Sequence, residues 1–168
     1  ACLAALDAVC ILGSLRETRR VPARSFFLGA GRTARRANEL LLGFDIPRMP
    51  PRAGWAYAKL KFSEGGYTIA GAACLLTLAA DGRCERVSVV LSGVTESPLP
   101  LPTIAERLAG EALTTHLIEA AAGAASAAVE RPIKDAMAGG EYRRAMAGVM
   151  VVEALAQAAR RARGGEGA

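Results

Sequence analysis

The chain has 168 residues, 52% hydrophobic and 22% charged, which is enough to bury one core and argues against disorder throughout. Its net charge is +5, but the excess is local: residues 1–52 carry nine arginines against four acidic residues, and the remainder carries twelve charges of each sign. With aromatics at only 5% and no recognition-helix pattern, a nucleic-acid partner is not expected. Cys2, Cys10, Cys74 and Cys84 show no Cys-x-x-Cys spacing and His116 is the one histidine, which argues against a zinc or iron–sulfur site on this chain.

No apolar run approaches the ~18 residues of a membrane helix. Residues 1–15 lack the basic leader of a signal peptide. With unpaired thiols, this predicts a cytoplasmic protein without a membrane span. Much of the apolar content is alanine, so the core should be closely spaced and thin. The chain opens at Ala1 in the middle of what reads as an element, as a piece of a longer reading frame would.

In chain order, Ala8–Leu12 predicts a short strand, and Arg16–Arg20 reads as a polar turn. Val21-Pro22 leads to the ring pair Phe26-Phe27. Gly29, Gly31 and Thr33 form a loop among arginines that lacks the Gly-Lys-Ser/Thr ending of a phosphate loop. Glu39–Pro47 predicts a strand closed by proline. Residues 47–54 hold Pro47, Pro50 and Pro51 and read as a linker between domains 1–48 and 49–168.

Trp55–Phe62 alternates as a half-buried strand, with Trp55, Tyr57, Lys59 and Lys61 on one face and Ala56, Ala58, Leu60 and Phe62 on the other. After the loop Ser63–Gly66, Tyr67 opens a hairpin. Its first strand, Thr68–Leu78, is apolar enough to be covered on both faces. Asp81-Gly82 supplies the turn. In the return strand Val87, Val89 and Leu91 alternate with Ser88, Val90 and Ser92. Thr103-Ile104-Ala105-Glu106 fits a capping box, and Gly110 stops that short helix. Thr115–Val129 predicts an alanine-rich helix and Glu141–Ala162 the longest one. The latter's apolar stripe is read as Tyr142, Ala145, Met146, Val149, Val152 and Ala156, with Tyr142 a packing residue. Arg160, Arg161 and Arg163 suit its C-terminal dipole end, and Gly164-Gly165 closes it. The fold class is α+β: a small antiparallel sheet of about three strands packed on a three-helix bundle, preceded by the end of a truncated α/β lobe.

Four stretches carry a family resemblance. They are Ala5-Leu6-Asp7-Ala8 with Arg20–Phe27; Asn38–Leu42 through Ile46-Pro47; Ala56–Lys61 with Gly65-Gly66-Tyr67; and Asp135 followed by Gly140-Glu141-Tyr142-Arg143-Arg144. Together they resemble the C-terminal part of the FAD-binding medium subunit of molybdenum hydroxylases of the carbon monoxide dehydrogenase type, relatives of xanthine dehydrogenase. The resemblance implies that residues 1–48 end an FAD-binding lobe and residues 49–168 form the subunit's C-terminal domain. It implies an oxidoreductase subunit that passes electrons from [2Fe-2S] clusters to FAD and an external acceptor, beside a large subunit holding molybdopterin and a small one holding the clusters. The cofactor-binding positions it implies are Leu41, Lys59 and Tyr67, with no catalytic residue and no metal ligand. An apolar or aromatic surface would fix the ring, and a cation beside it would favour the anionic reduced flavin. Here Gly65-Gly66 stands where the family often has Gly-Asp, and Phe62-Ser63 where Arg-Lys often follows. The glycine-rich loops that grip the pyrophosphate in the family have no counterpart in this sequence, so the chain alone is expected to bind FAD poorly and to be inactive. The competing expectation is a non-catalytic interaction module or gene remnant unable to hold FAD.

Overall fold

A computed structural model describes residues 1–164. The elements are α1 (Cys2–Ala5), β1 (Val9–Gly13), β2 (Thr18–Pro22), α2 (Ala23–Phe26), β3 (Phe27–Gly29), β4 (Arg32–Thr33) and β5 (Leu40–Asp45). Then follow β6 (Ala53–Lys61), β7 (Thr68–Leu78), β8 (Cys84–Ser92), β9 (Leu99–Pro100), α3 (Pro102–Leu108), α4 (Thr115–Ala128) and α5 (Gly140–Ala162). Gly165, assigned above to the end of the last helix, lies outside the described residues.

The main sheet is antiparallel in the order β6-β7-β8-β9. Three strands carry it; the fourth, β9, is a two-residue edge that pairs Val90 with Pro100 and Leu91 with Leu99. The turn between β7 and β8 is closed by Ala79 and Arg83, with Gly82 at φ 84°, a backbone region that L side chains rarely adopt. One face of the sheet meets the helices: α5 lies across β6 and β7, α4 packs on α5, and α3 rests on β8. Ala56, Ala58, Ala70, Ala72, Leu76, Val89 and Leu91 from the strands meet Ala147, Val151, Ala154, Leu155 and Ala158 of α5, all buried. The thin core expected from an alanine-rich composition is realised as close approach of backbones. Gly54 of β6 lies where a Cβ would stand 1.9 Å from the carbonyl oxygen of Ala158.

The other face of β7 and β8 is covered as well. Ala4 and Ala5 of α1 pack on Ala73 and Val90. Polar bonds hold this layer in place: Arg24 donates to Asp7 (2.9 Å) and to the Ser88 hydroxyl (2.8 Å), and Arg86 pairs with Asp7 from β8. Ser88 and Val90 are therefore buried, and β8 does not alternate between core and solvent as its sequence predicts. A second sheet, in the order β2-β1-β5, is centred on β1, whose Cys10 and Leu12 are fully buried. The excess arginine of this region is partly spent internally. All four acidic residues of 1–52 pair with an arginine, as Arg24–Asp7, Arg36–Glu17, Arg19–Glu39 and Arg20–Asp45.

Four local expectations are corrected. Thr18–Arg20 belongs to β2, because pairing with β1 from Leu12↔Arg19 to Val9↔Pro22 overrides its turn-like composition. The capping box does not form: α3 starts two residues earlier than a Thr103 cap requires, on Pro102, with Leu101 as its N-cap and no side-chain cap bond. Pro102 is preset for a first helical position and needs no donor there, so it outcompetes Thr103. On α5 the stripe read from sequence is offset from the buried face: Met146 and Val152 still touch the core, partly buried, but the rest of it does not carry the packing. Tyr142 (50% exposed) and Val149 (49%) face outward, while Arg143, Ala147, Gly148, Val151, Ala154, Leu155, Ala158 and Ala162 face the core. Phe62 lies past the end of β6 and is exposed rather than packed with Ala56 and Ala58.

Candidate functional site

Outer-face residues of β6, β7 and β8 fall into cross-strand rows. They are Trp55↔Leu75↔Ser88, Tyr57↔Ala73↔Val90 and Lys59↔Gly71↔Ser92. The α1 segment covers the row of Ala73 and Val90 from the β8 side. Towards β6 the face is open: Trp55 (44%) and Tyr57 (38%) are partly exposed, and Lys59 and Lys61 are exposed.

Small residues shape this face. Gly71 has no room for a side chain, since a Cβ there would lie 2.7 Å from the Ser92 hydroxyl and 3.2 Å from the Ala58 carbonyl. With only Gly71 and Ala73 beneath it, Tyr57 reaches diagonally across β7, and its hydroxyl hydrogen-bonds Ser92 at 3.1 Å. Trp55 is held from the other side. The Arg161 guanidinium stacks 4.1 Å from the indole centroid and donates to the Trp55 carbonyl at 2.6 Å. A cavity of about 300 Å³ opens between α1, Met49 and this aromatic edge, lined by Cys2, Leu6, Trp55 and Tyr57 among others.

The three residues singled out from sequence lie as follows. Lys59 projects from the open face, opposite Gly71. Tyr67, 83% exposed, immediately precedes β7, whose first residue Thr68 pairs with Lys61. Both therefore belong to the same end of the sheet. Leu41 is on β5, 40% exposed, opposite Leu12 of β1; β5 packs on β1, and no hydrogen bond or cavity described above joins Leu41 to the other two. It belongs to an apolar strip of exposed side chains, Leu40, Leu41, Leu42, Phe44 and Ile46. Of the fourteen large hydrophobics exposed among the described residues, eleven fall between Leu28 and Tyr67. An unpartnered surface of that kind marks a binding site or an interface.

The sequence did not reveal what holds the Tyr67 end of the sheet. Arg143, in the first turn of α5, is completely buried. Its Nη2 donates to both carboxylate oxygens of Asp135 at 2.7 Å. Its Nη1 donates to the carbonyls of Ile69 (2.8 Å) and Gly93 (2.7 Å) and, at 3.4 Å, of Thr68. Asp135 also accepts from the amides of Met137 and Ala138. The bonded guanidinium holds the Asp135 carboxyl below its ordinary range. In the four-stretch pattern Asp135 and Arg143 are eight residues apart across a loop, a spacing that no helix or strand period marks as a contact. Elsewhere, burial pushes the Cys74 thiol well up, which makes it an inert core group.

A small antiparallel sheet backed by a helical layer, with an aromatic and lysine-bearing face left partly open, defines an α+β domain. The chain matches the CO dehydrogenase flavoprotein C-terminal domain family over residues 55–158, and it belongs to that family. It is 38% identical over 145 residues to the carbon monoxide dehydrogenase medium chain of Afipia carboxidovorans, covering 86% of this chain and 50% of that protein. To the corresponding chain of Hydrogenophaga pseudoflava it is 35% identical over 152 residues, covering 90% and 52%. Among solved structures, reconstituted CO dehydrogenase from Oligotropha carboxidovorans superposes with a TM-score of 0.88 at 36% identity, over 95% of this chain and 55% of that one. The chain thus spans about half the length of the relatives it matches.

Proposed function

We propose that this chain forms one wall of the flavin site in the FAD-containing medium subunit of a molybdenum hydroxylase. In this reading residues 1–48 end the FAD-binding lobe and residues 49–168 are the C-terminal domain of sheet and three helices. The observation that carries it is the concentration of exposed apolar and aromatic groups between Leu28 and Tyr67, next to Lys59 and Lys61, in a chain half the length of its relatives. The residues fit the ring part of FAD, because an apolar wall with an adjacent ammonium suits a flat heterocycle that gains negative charge on reduction. They do not supply a cradle for the pyrophosphate. That role falls to the part of the subunit that the relatives have beyond the matched half.

Bound FAD would supply one- and two-electron redox chemistry. Around it, Tyr67 and the β5 strip containing Leu41 would position the ring and exclude water, and Lys59 would offset the charge of the reduced state. No group of this chain breaks a substrate bond. Electrons would arrive from [2Fe-2S] clusters on a small subunit, drawn from a substrate oxidised at molybdopterin on a large subunit, and leave to an external acceptor. The test is the visible flavin spectrum of the complete subunit co-expressed with its partners. FAD bound in about stoichiometric amount is the expected result, and absence of flavin would refute the reading. Titrating FAD into the 168-residue chain should give weak or no fluorescence quenching.

A further inference from the structure

Tyr67 is exposed on a short loop, yet the backbone beside it is tied to a buried side chain. One guanidinium, that of Arg143, bonds the carbonyls of Thr68 and Ile69 at the start of β7 and of Gly93 at the end of β8. It is anchored in turn by two 2.7 Å bonds to Asp135. Gly93 fits tightly against the same point: with φ at 73°, a Cβ on it would lie 2.6 Å from the Thr68 carbonyl oxygen. The arrangement carries a cost, since the buried Nε has no partner among the described residues. A plain helix-to-sheet contact could be made by an apolar residue at lower cost. What an apolar residue could not do is fix three carbonyls at set distances.

We infer that the Asp135–Arg143 clasp is a positioning device that sets Tyr67, and with it the Lys59 end of the sheet, against the flavin. The inference rests on the proposed reading that Tyr67 packs at the ring. Arg143 acts from the helix-covered face, through the backbone of Thr68 and Ile69, and never touches the cofactor. Lysine cannot replace it, because a single ammonium cannot bond Asp135 in two places and span the carbonyls of both strands. Asparagine at 135 preserves volume and removes the charge that holds the fork.

A double-mutant cycle on FAD affinity in the complete subunit tests this. Arg143→Lys and Tyr67→Ala should each weaken FAD binding by about tenfold. The double variant should be no weaker than either alone, because a displaced Tyr67 is already lost in one and absent in the other. The visible flavin spectrum of Arg143→Lys should match that of Tyr67→Ala. A merely structural arginine predicts the opposite, multiplication of the two effects to about a hundredfold, and that result would overturn the inference. So would Arg143→Lys binding FAD like the parent while Tyr67→Ala is impaired, which would leave the flavin reading intact. An unaffected Tyr67→Ala, or a parent subunit without FAD, would overturn both. If Arg143→Lys does not fold, Asp135→Asn takes its place in the same cycle, with the same expected non-additivity.

Discussion

Gly54→Ala is the sharpest test of how this thin core is built. The added methyl would lie 1.9 Å from the Ala158 carbonyl oxygen, 2.6 Å from the Ala162 nitrogen and 2.9 Å from the Ala158 carbonyl carbon. All three are backbone atoms of α5, so no side-chain rotation relieves the overlap. Ordinary contact begins near 3.4 Å, so β6 and α5 must separate by about 1.5 Å. Overpacking typically costs ~1–3 kcal/mol, and a gap of that width also forfeits more than half the dispersion energy along the seam. Against this, replacing glycine restricts the unfolded chain and returns ~0.4–1 kcal/mol. The net expectation is a loss of about 3–4 kcal/mol, a large part of the ~5–15 kcal/mol a domain has.

Urea unfolding of the 168-residue chain measures it. With a slope of ~2 kcal/mol/M the midpoint should fall by about 1.5–2 M at unchanged slope. Gly43→Ala on β5, where a Cβ meets nothing within 4 Å, is the control and should be neutral or slightly stabilising. If Gly54→Ala unfolds within ~0.5 kcal/mol of the parent, the range of an ordinary surface substitution, the close backbone seam between β6 and α5 is wrong.

Other expectations concern the two ends of the molecule. Glu39, bonded by Arg19 at 2.6 Å and by the Arg36 amide, is held down to about 2 from an ordinary 4.5. Its contribution to stability is complete above the unfolded value and disappears as pH falls through about 2. Glu39→Gln should accordingly flatten the stability curve between those limits, as read by denaturant midpoints across acid pH. Native thiol titration should find one fast group, Cys2, because Cys10, Cys74 and Cys84 are buried and burial raises their pKa; two fast groups would contradict the fold. Thr114 accepts the Leu117 amide at the start of α4, so Thr114→Ala should cost ~1 kcal/mol. Thr103→Ala, whose cap bond does not form, should stay within ~0.5 kcal/mol of the parent.

Turn chemistry and alternation made much of the fold legible. The ladder from Thr77↔Arg86 to Gly71↔Ser92 is centred on Asp81-Gly82, so the turn dipeptide gives the register that sets Gly71 opposite Ser92, while Lys59 joins that row through the separate pairing of β6 with β7 about Gly65. Hydropathy failed on α5, because alanine, valine and methionine occur all round it. Size decides there: the face with Ala147, Gly148, Ala154, Ala158 and Ala162 is chosen because only small residues let α5 approach β6 and α4, and a Cβ on Gly148 would lie 2.8 Å from the Ala122 carbonyl. Arg143 escaped notice for a related reason. A charged residue reads as solvent-facing until its acceptors are known, and those come from β7, β8 and a loop far away in sequence. The open site face was visible as Tyr57, Lys59 and Lys61. Its partial cover by Ala4 and Ala5 needed the tertiary docking of residues 1–7.

The exposed strip on β5 leads to one more prediction. A strand whose Leu40, Leu41, Leu42 and Phe44 are all between 40% and 71% exposed contributes little to the stability of this chain. Its side chains are long and apolar, with Leu40 pairing opposite Gly13 and Leu42 close beside that glycine, so the strand is flanked on one side and bare on the other. Apolar area left in water forgoes ~25 cal/mol per Å², and such a patch promotes association of copies. On the proposed reading, the rest of the subunit and the flavin cover it. The 168-residue chain should then bind a hydrophobic dye such as ANS several-fold more strongly than the complete subunit, and Leu40→Glu should reduce that binding while shifting stability by less than ~0.5 kcal/mol. Equal dye binding by the chain and the complete subunit would mean that this surface stays open in the whole protein, and a flavin wall would have to be sought on another face.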